Sequence, residues 1–245
     1  MRFNSRKLIV PVSAAVACFG LASAAPVFAA QQNGTSSSMS GSHNHAARSG
    51  QDRVNDSLRV VRTMKRDPAL AAVLERARGV FIIPHYGKGG FIVGGQGGGG
   101  VVLVKHGSEW SSPAFYSISG GSIGAQAGGE GGAIAMVLMS QRAVNRFENS
   151  AASWSLNGNA GLTVVNWSGR GQANTSRGDV ILWSNTSGLY GGLTASITHI
   201  SPDNKMDRAY YHRSVSSASI LAGNVRSMNA DPLRNALASR VASTR

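Results

Sequence analysis

The 245-residue sequence contains one cysteine, Cys18, and only 11 acidic residues. A single thiol excludes a scaffold held by disulfide bonds within the chain and any metal site built from several cysteines. The sequence also lacks paired carboxylates, a His-Glu-x-x-His helix and a Walker loop. Because those patterns carry glycoside hydrolysis, zinc proteolysis and nucleotide hydrolysis, none of the three chemistries is expected.

Acidic residues are far outnumbered by basic ones. The 24 Lys and Arg residues give a formal net charge of +13, which indicates an anionic partner such as nucleic acid, lipid headgroups or an acidic polymer. With 42% hydrophobic and 14% charged residues, the chain is too apolar to be disordered and can build a packed core. Composition does not choose among the three partners.

The first 29 residues have the order of parts of a secretory signal. Arg2, Arg6 and Lys7 precede an apolar stretch over residues 8–25, and residues 27–29 (Val-Phe-Ala) offer small or tolerated residues at a signal peptidase site. This order predicts a signal peptide over residues 1–29 and an exported protein, peripheral in the periplasm or cell envelope.

Two alternatives exist for this segment. Lipidation at Cys18 would suit a bacterial lipoprotein, but residues 19–21 remain apolar where such a tether is usually polar. A membrane anchor needs about 20 apolar residues, and Pro11 and Gly20 interrupt the stretch. Both alternatives are less favoured than cleavage.

The rest of the chain is predicted to form a linker and one domain. Residues 30–50 are rich in Ser, Gly, Asn and Gln with little to bury, which favours a flexible linker. Residues 51–245 contain the apolar periodicity of a single folded domain.

A basic amphipathic helix is predicted over residues 52–66. Its apolar residues at helical spacing are Val54, Leu58 and Val61, with Val60 and Met64 beside them. At 100° per residue, Arg59, Arg62 and Arg66 fall on one flank of that stripe. Either the helix covers a core while its charges are merely solvated, or it offers a basic surface to a membrane.

The following residues indicate an α+β fold. Asp67 and Pro68 predict the start of a second helix that closes at Gly79. Short apolar runs then predict strands in the middle of the chain, among them residues 80–84, 101–104, 133–139, 154–156 and 180–183, and Ser140 is predicted to cap a short helix. Helices are predicted again over residues 208–225 and from residue 231 to about 241. We expect a largely antiparallel, Gly-rich sheet that can curl into a barrel, with helices at the N- and C-terminal ends.

Two glycine motifs resemble catalytic or cofactor signatures. Residues 95–100 satisfy the dinucleotide pattern G-x-G-x-x-G, but a β-branched run follows where that fold needs a helix. Residues 120–124 satisfy G-x-S-x-G around Ser122, and Asp203 or Asp207 followed by His212 would complete the chain order of a hydrolase triad. The Gly-rich sequence after Ser122 does not favour the helix that a nucleophile elbow requires.

Several separated strings, read together, are more specific than either motif. They are residues 78–84 (RGVFIIP), 88–91 (KGGF), 107–115 (GSEWSSPAF), 122–128 (SIGAQAG) and 187–191 (SGLYG). In this order they closely resemble the SYLF family, the actin-regulator lipid-binding domain of yeast endocytic proteins. The resemblance covers roughly residues 54–225.

The resemblance implies a non-enzymatic, cofactor-free domain that binds anionic lipid headgroups or a membrane surface. It favours the membrane interpretation of the first helix, and the candidate lipid-binding residues are Arg59, Arg62 and Arg66 for headgroups, Val61 and Met64 for shallow insertion, and Lys88 with Phe91 in a loop. Actin is not expected as a partner of an exported protein.

Two other classes stay open. One is a serine hydrolase that uses Ser122. The other is a basic nucleic-acid-binding module, although the tryptophans and basic clusters do not interleave as a stacking platform requires. We expect no nucleic-acid partner.

Overall fold

A long curled β-sheet runs through the fold, with helices before and after it. The computed structural model describes residues 35–90, 93–123, 130–149, 152–156, 161–167, 178–185, 197 and 199–239. The predicted signal peptide, including Cys18, and the predicted loop aromatic Phe91 lie outside the described residues.

The described residues contain six α-helices and eight strands. The helices are α1 (Thr35–Met64), α2 (Pro68–Arg76), α3 (Gln141–Glu148), α4 (Asn204–Tyr211), α5 (Ser217–Leu221) and α6 (Asp231–Ala238), with a 3₁₀ turn at Met228–Ala230. The strands are β1 (Gly79–Gly90), β2 (Val93–His106), β3 (Glu109–Trp110), β4 (Ala114–Ile123), β5 (Glu130–Leu138), β6 (Val164–Asn166), β7 (Val180–Ser184) and β8 (His199–Pro202).

The strand order is β6-β7-β5-β1-β2-β4-β8, and β3 pairs with the end of β2. All pairs are antiparallel except β6 with β7. The register of β1 shifts between Ile82 and His85 against β2, and between Ile83 and Tyr86 against β5. A bulge of this kind bends a strand and increases its twist. The predicted α+β class and curled, mostly antiparallel sheet are confirmed.

The sheet buries both faces. Along β1 and β2, Ile82 and Val101 belong to one apolar cluster, whereas Phe81 and Val102 belong to the other, as the alternation of side chains in a strand requires. The first cluster includes buried residues of α1, α2 and α6, and the second includes buried residues of α3 and α5. The central strands are therefore continuous apolar runs, because they have no solvent face.

Glycines in β2 permit close approach of the neighbouring strands. A Cβ on Gly100 would lie 2.1 Å from the carbonyl oxygen of Ile82, and one on Gly98 would lie 2.5 Å from that of His85. Both contacts are with backbone atoms next to the bulge, so no side chain can relieve them. The G-x-G-x-x-G motif thus lies inside a strand, and no helix begins after it, because β2 continues to His106.

Helix α1 begins earlier than predicted. It starts at Thr35 instead of residue 52, so residues 35–50 of the predicted linker are helical. Composition there is unfavourable for a helix, but Gly50 packs against α4: a Cβ at this position would lie 3.2 Å from Tyr210 and 3.3 Å from Met206. Packing against α4, which the local sequence does not show, therefore supports the helix around Gly50.

The predicted helix starts are confirmed at two caps. The side chain of Asp67 accepts hydrogen bonds from the backbone of Ala69 and Leu70, and Ser140 accepts one from Ala143. The helix predicted over residues 208–225 is interrupted, because His212 adopts a left-handed conformation (φ 52°) and ends α4. The predicted strand at residues 154–156 is reduced to one bridge between Trp154 and Ile200.

Candidate functional site

The three predicted headgroup arginines all lie at the surface. Arg59 and Arg62 belong to the C-terminal half of α1, and Arg66 lies in the turn after it; all three side chains are exposed. Arg48 lies three helical turns before Arg59 and is exposed on the same line. Sequence reasoning missed Arg48 because it assigned residue 48 to a flexible linker.

Arg59 is partly neutralised. Asp56, one turn earlier, forms an ion pair with Arg59, whose side chain is 69% exposed, and its other oxygen lies 2.7 Å from Nε2 of His85 on β1. These three residues line one side of a cavity of about 180 Å³, which Trp183 and Asn185 close from the end of β7. Arg62 and Arg66 have no ion-pair partner within the described residues, so they carry the less compensated charge.

Val61 and Met64 are not available for insertion into a membrane in this fold. Both are fully buried, in the cluster between α1 and the sheet. The prediction that they insert is therefore corrected for the folded domain. The apolar stripe that suggested insertion packs on β1 and β2 instead, since a helix buries its apolar face against whatever apolar surface is nearest.

Lys88 lies near the end of β1, where its backbone pairs with Gln96 and Glu130. Its side chain, like Phe91, is outside what the structure describes. Three residues earlier in the strand, His85 contacts Asp56 of α1. The strand that carries Lys88 therefore passes beside the helix that carries the arginines.

One basic residue of α1 has a structural position that the sequence analysis did not assign. The Cζ of Arg53 lies 5.8 Å from the ring centroid of Phe115, and Nη1 lies 3.8 Å from a carboxylate oxygen of Asp203. That distance is too long for a hydrogen bond, and Nη1 is buried without an acceptor among the described residues. Burial lowers the pKa of Arg53, while Asp203 raises it.

The helical spacing of the sequence could have predicted that Arg53 is partly buried. At 100° per residue, Arg53 falls between Val60 and Met64, which are both buried, and so lies on the buried side of the helix. A second cation is also used structurally: Nζ of Lys65 donates to the carbonyl oxygens of Leu237 and Ser239, at the C-terminal end of α6. A positive charge there is favourable because the last carbonyls of a helix lack partners.

The geometry does not support a hydrolase site at Ser122. This serine lies inside β4, paired antiparallel with Gly94 of β2, whereas a nucleophile elbow needs a turn between a parallel strand and a helix. Asp207 is also committed elsewhere: its carboxylate accepts hydrogen bonds from the backbone of Phe115 and from Ser217, and His212 is exposed beyond the end of α4.

Among the described residues, no group of three or more His, Cys, Asp or Glu side chains could hold a metal ion. Within the same residues, no helix is both long enough and apolar enough to cross a bilayer. The site that remains is the exposed basic line of α1 with the cavity beside Asp56.

The chain is similar in sequence to known proteins over about two thirds of its length. Residues 119–240 match the model of the Ysc84 family, described as a Las17-binding protein actin regulator. The chain is similar to Protein YSC84 and to LAS seventeen-binding protein 3 of Saccharomyces cerevisiae; each is 30% identical over 175 residues, which is 69% of this chain and 37% or 38% of the relative. No solved structure matches the chain.

The similarity extends beyond yeast. SH3 domain-containing YSC84-like protein 1 of Homo sapiens is 26% identical over 158 residues, 63% of this chain and 46% of that protein. The chain thus spans less than half the length of these relatives, and what is shared is one domain. With 30% identity to the yeast relatives over 69% of its length, and with the match to the Ysc84 model over residues 119–240, the chain belongs to the SYLF domain family.

Proposed function

We propose that this domain binds anionic membrane surfaces without catalysing a reaction, and that the exposed arginines of α1 contact the lipid headgroups. The observation that carries the proposal is that Arg59 and Arg62 of α1, and Arg66 in the turn after it, are exposed while the opposite face of the helix packs in the core beside the sheet. A rigid line of guanidinium groups loses little conformational freedom beyond its own side chains when it meets a charged surface.

Charge supports the same partner. The formal net charge is +13, and each Lys or Arg near an anionic leaflet contributes about 1 kcal/mol. Because Val61 and Met64 are buried, the α1 surface contributes charge rather than apolar area. We expect binding that is electrostatic at this surface and is screened over about 8 Å at physiological salt.

The names of the relatives concern actin regulation and Las17 binding, and those partners belong to the relatives. For this chain we propose an exported protein, peripheral to the membrane in the periplasm or cell envelope, because of the secretory order of parts in residues 1–29. We therefore expect no actin partner in such a compartment, and we propose an anionic lipid surface as the partner.

The test is co-sedimentation of the purified protein with vesicles of phosphatidylcholine mixed with phosphatidylglycerol. Replacing Arg59, Arg62 and Arg66 with Gln removes three charges of about 1 kcal/mol each, which corresponds to binding weaker by roughly a hundredfold. The pair of Arg59 with Asp56 makes Arg62 and Arg66 the larger contributors.

A matched control removes three other exposed cations, Lys205, Arg208 and Arg213, by the same substitution to Gln. Net charge falls equally in both variants, so only a site on α1 makes the first variant weaker than the control. Equal binding by the two variants, both folded by circular dichroism, contradicts the assignment to α1.

A further inference from the structure

A second cavity, of about 300 Å³, lies far along the sequence from the arginines of α1. It opens where β3 meets the connection between α5 and α6, and its charged lining residues are Glu109, Arg226 and Arg234. Trp110 and Val225 supply apolar wall. A cavity of this size accommodates a small polar group such as a lipid headgroup.

Arg234 is held rigidly in this wall. Its Nε donates to the carbonyl oxygen of Trp110 at 2.7 Å, and its Nη1 donates to Asp231 at 2.7 Å. The side chain is only 12% exposed. A guanidinium has five N–H donors, so three of those of Arg234 are not donated to any described residue.

Arg226 faces the same cavity from the other side of Asp231. Its Nη2 lies 3.9 Å from the Asp231 carboxylate that Arg234 also contacts, and its side chain is 67% exposed. Asp231 and Glu109 formally balance the two guanidinium groups at the cavity, but at 3.9 Å Arg226 makes no hydrogen bond with Asp231, so its donors are available to an anion. Two guanidinium groups that converge in this way suit the oxygens of a phosphate.

Met228 follows Arg226 by two residues, in the 3₁₀ turn, and is 79% exposed. No other large hydrophobic side chain among the described residues is as open to solvent. Single exposed hydrophobic residues are common, but this one is close in the chain to the exposed guanidinium of Arg226. An apolar side chain beside cationic groups is the arrangement by which peripheral proteins enter the boundary between headgroups and acyl chains.

We propose that this cavity takes the phosphate of an anionic phospholipid, bound by Arg226 and Arg234, with Met228 inserted shallowly beside it. This inference rests on the proposed membrane function and adds a headgroup site that does not involve α1. It also supplies the apolar contact that the buried Val61 and Met64 cannot make.

Three single variants test the site by co-sedimentation with vesicles that contain phosphatidylglycerol. Arg226→Gln should weaken binding about fivefold, the equivalent of one cation near an anionic surface. Met228→Ser should weaken it about tenfold through the loss of apolar burial, and Met228→Leu should restore it. Glu109→Gln removes the carboxylate at the rim and should strengthen binding by up to about fivefold.

Lys205→Gln is the matched control, since it removes one exposed cation from α4 and should leave binding within about twofold of that of the unmodified protein. If the unmodified protein binds these vesicles but Arg226→Gln and Met228→Ser bind as it does, the cavity is not a headgroup site, while the proposed membrane function stands. Failure of the unmodified protein to bind overturns both.

A soluble arm separates a lipid from a free phosphate. Glycerol 3-phosphate is titrated into the protein while the indole N–H resonance of Trp110 is followed by NMR. Weak saturable shifts that Arg226→Gln abolishes, together with loss of vesicle binding in Met228→Ser, support the lipid site. The same shifts with unchanged vesicle binding in Met228→Ser assign the cavity to a soluble phosphate and overturn the lipid assignment.

Discussion

The guanidinium of Arg53 occupies the space beside Gly99 that any larger residue would need. A Cβ on Gly99 would lie 2.5 Å from Cζ of Arg53, and Arg53 in turn lies over Phe115 and near Asp203. Because Gly99 has no side chain, the guanidinium of Arg53 on α1 can pack directly against the Gly-rich strand β2. The glycine run of β2 serves packing, and its resemblance to a nucleotide-binding loop has no structural counterpart.

Alanine at three glycines should therefore have three different effects. Gly100→Ala meets the backbone of Ile82 and should lower the free energy of unfolding by more than about 3 kcal/mol or prevent folding. Gly99→Ala meets only the end of the Arg53 side chain and should cost about 1–2 kcal/mol. Gly87→Ala has nothing within 4 Å and should be close to neutral.

Urea unfolding of the three variants measures this order. A Gly99→Ala variant as unstable as Gly100→Ala would show that Arg53 cannot move at all, and a neutral Gly100→Ala would contradict the strand spacing described above.

Asp207 should make stability depend on pH. It is fully buried, and burial raises its pKa from 3.8 to about 6, although hydrogen bonds from Ser217 and Phe115 oppose the rise. Between about pH 4 and 6 the folded protein binds more protons at this site than the unfolded chain does. Stability from this group is therefore highest at low pH and is lost as pH rises through 6, by roughly 3 kcal/mol.

Asp207→Asn should remove that dependence and leave the fold intact at pH 7.5, because an amide can accept from Phe115 and donate to Ser217. The measurement is the free energy of unfolding of both proteins from pH 4 to pH 7.5. Parallel curves for the two proteins would show that Asp207 is not the group that titrates.

Substitution of Met64 tests whether this residue belongs to the core or contacts the membrane. Met64→Ala should lower the free energy of unfolding by about 2–5 kcal/mol, because the side chain is fully buried. Vesicle binding, measured where the variant is still folded, should not change. The neighbouring Arg62→Gln should do the reverse, with stability within about 0.5 kcal/mol and weaker binding; a Met64→Ala variant that is stable but binds poorly would restore the insertion hypothesis.

We expect Ser122 not to react as a nucleophile. Because it lies inside an antiparallel strand, we expect no labelling by a serine-reactive fluorophosphonate and no loss of vesicle binding in Ser122→Ala. Labelling that disappears in Ser122→Ala would establish a nucleophile and contradict the non-enzymatic account.

Local signals in the sequence were sufficient for much of the fold. The caps at Asp67 and Ser140 and the apolar runs of β1, β2, β5 and β7 were predicted because each depends on residues close in the chain. The helical conformation at Gly50 was not predicted, because this residue gains its partners on α4, some 160 residues away.

The candidate site divides in the same way. The exposure of Arg59, Arg62 and Arg66 followed from helical spacing, whereas the burial of Val61 and Met64 depended on whether a sheet lay beneath the stripe. The spacing of apolar residues predicts that a helix has an apolar face, but it does not predict which surface packs against that face. The cavity at Arg226 and Arg234 joins β3 to residues about 120 positions later, so no local pattern could indicate it.

The most direct test is binding of the unmodified protein to vesicles of phosphatidylcholine alone and to vesicles that also contain phosphatidylglycerol, over a range of salt. We predict strong binding only to the anionic vesicles, and weaker binding as salt rises, because the attraction at the arginine surface is screened. Binding that is equal on both vesicles, or absent from the anionic ones at low salt, would contradict the account.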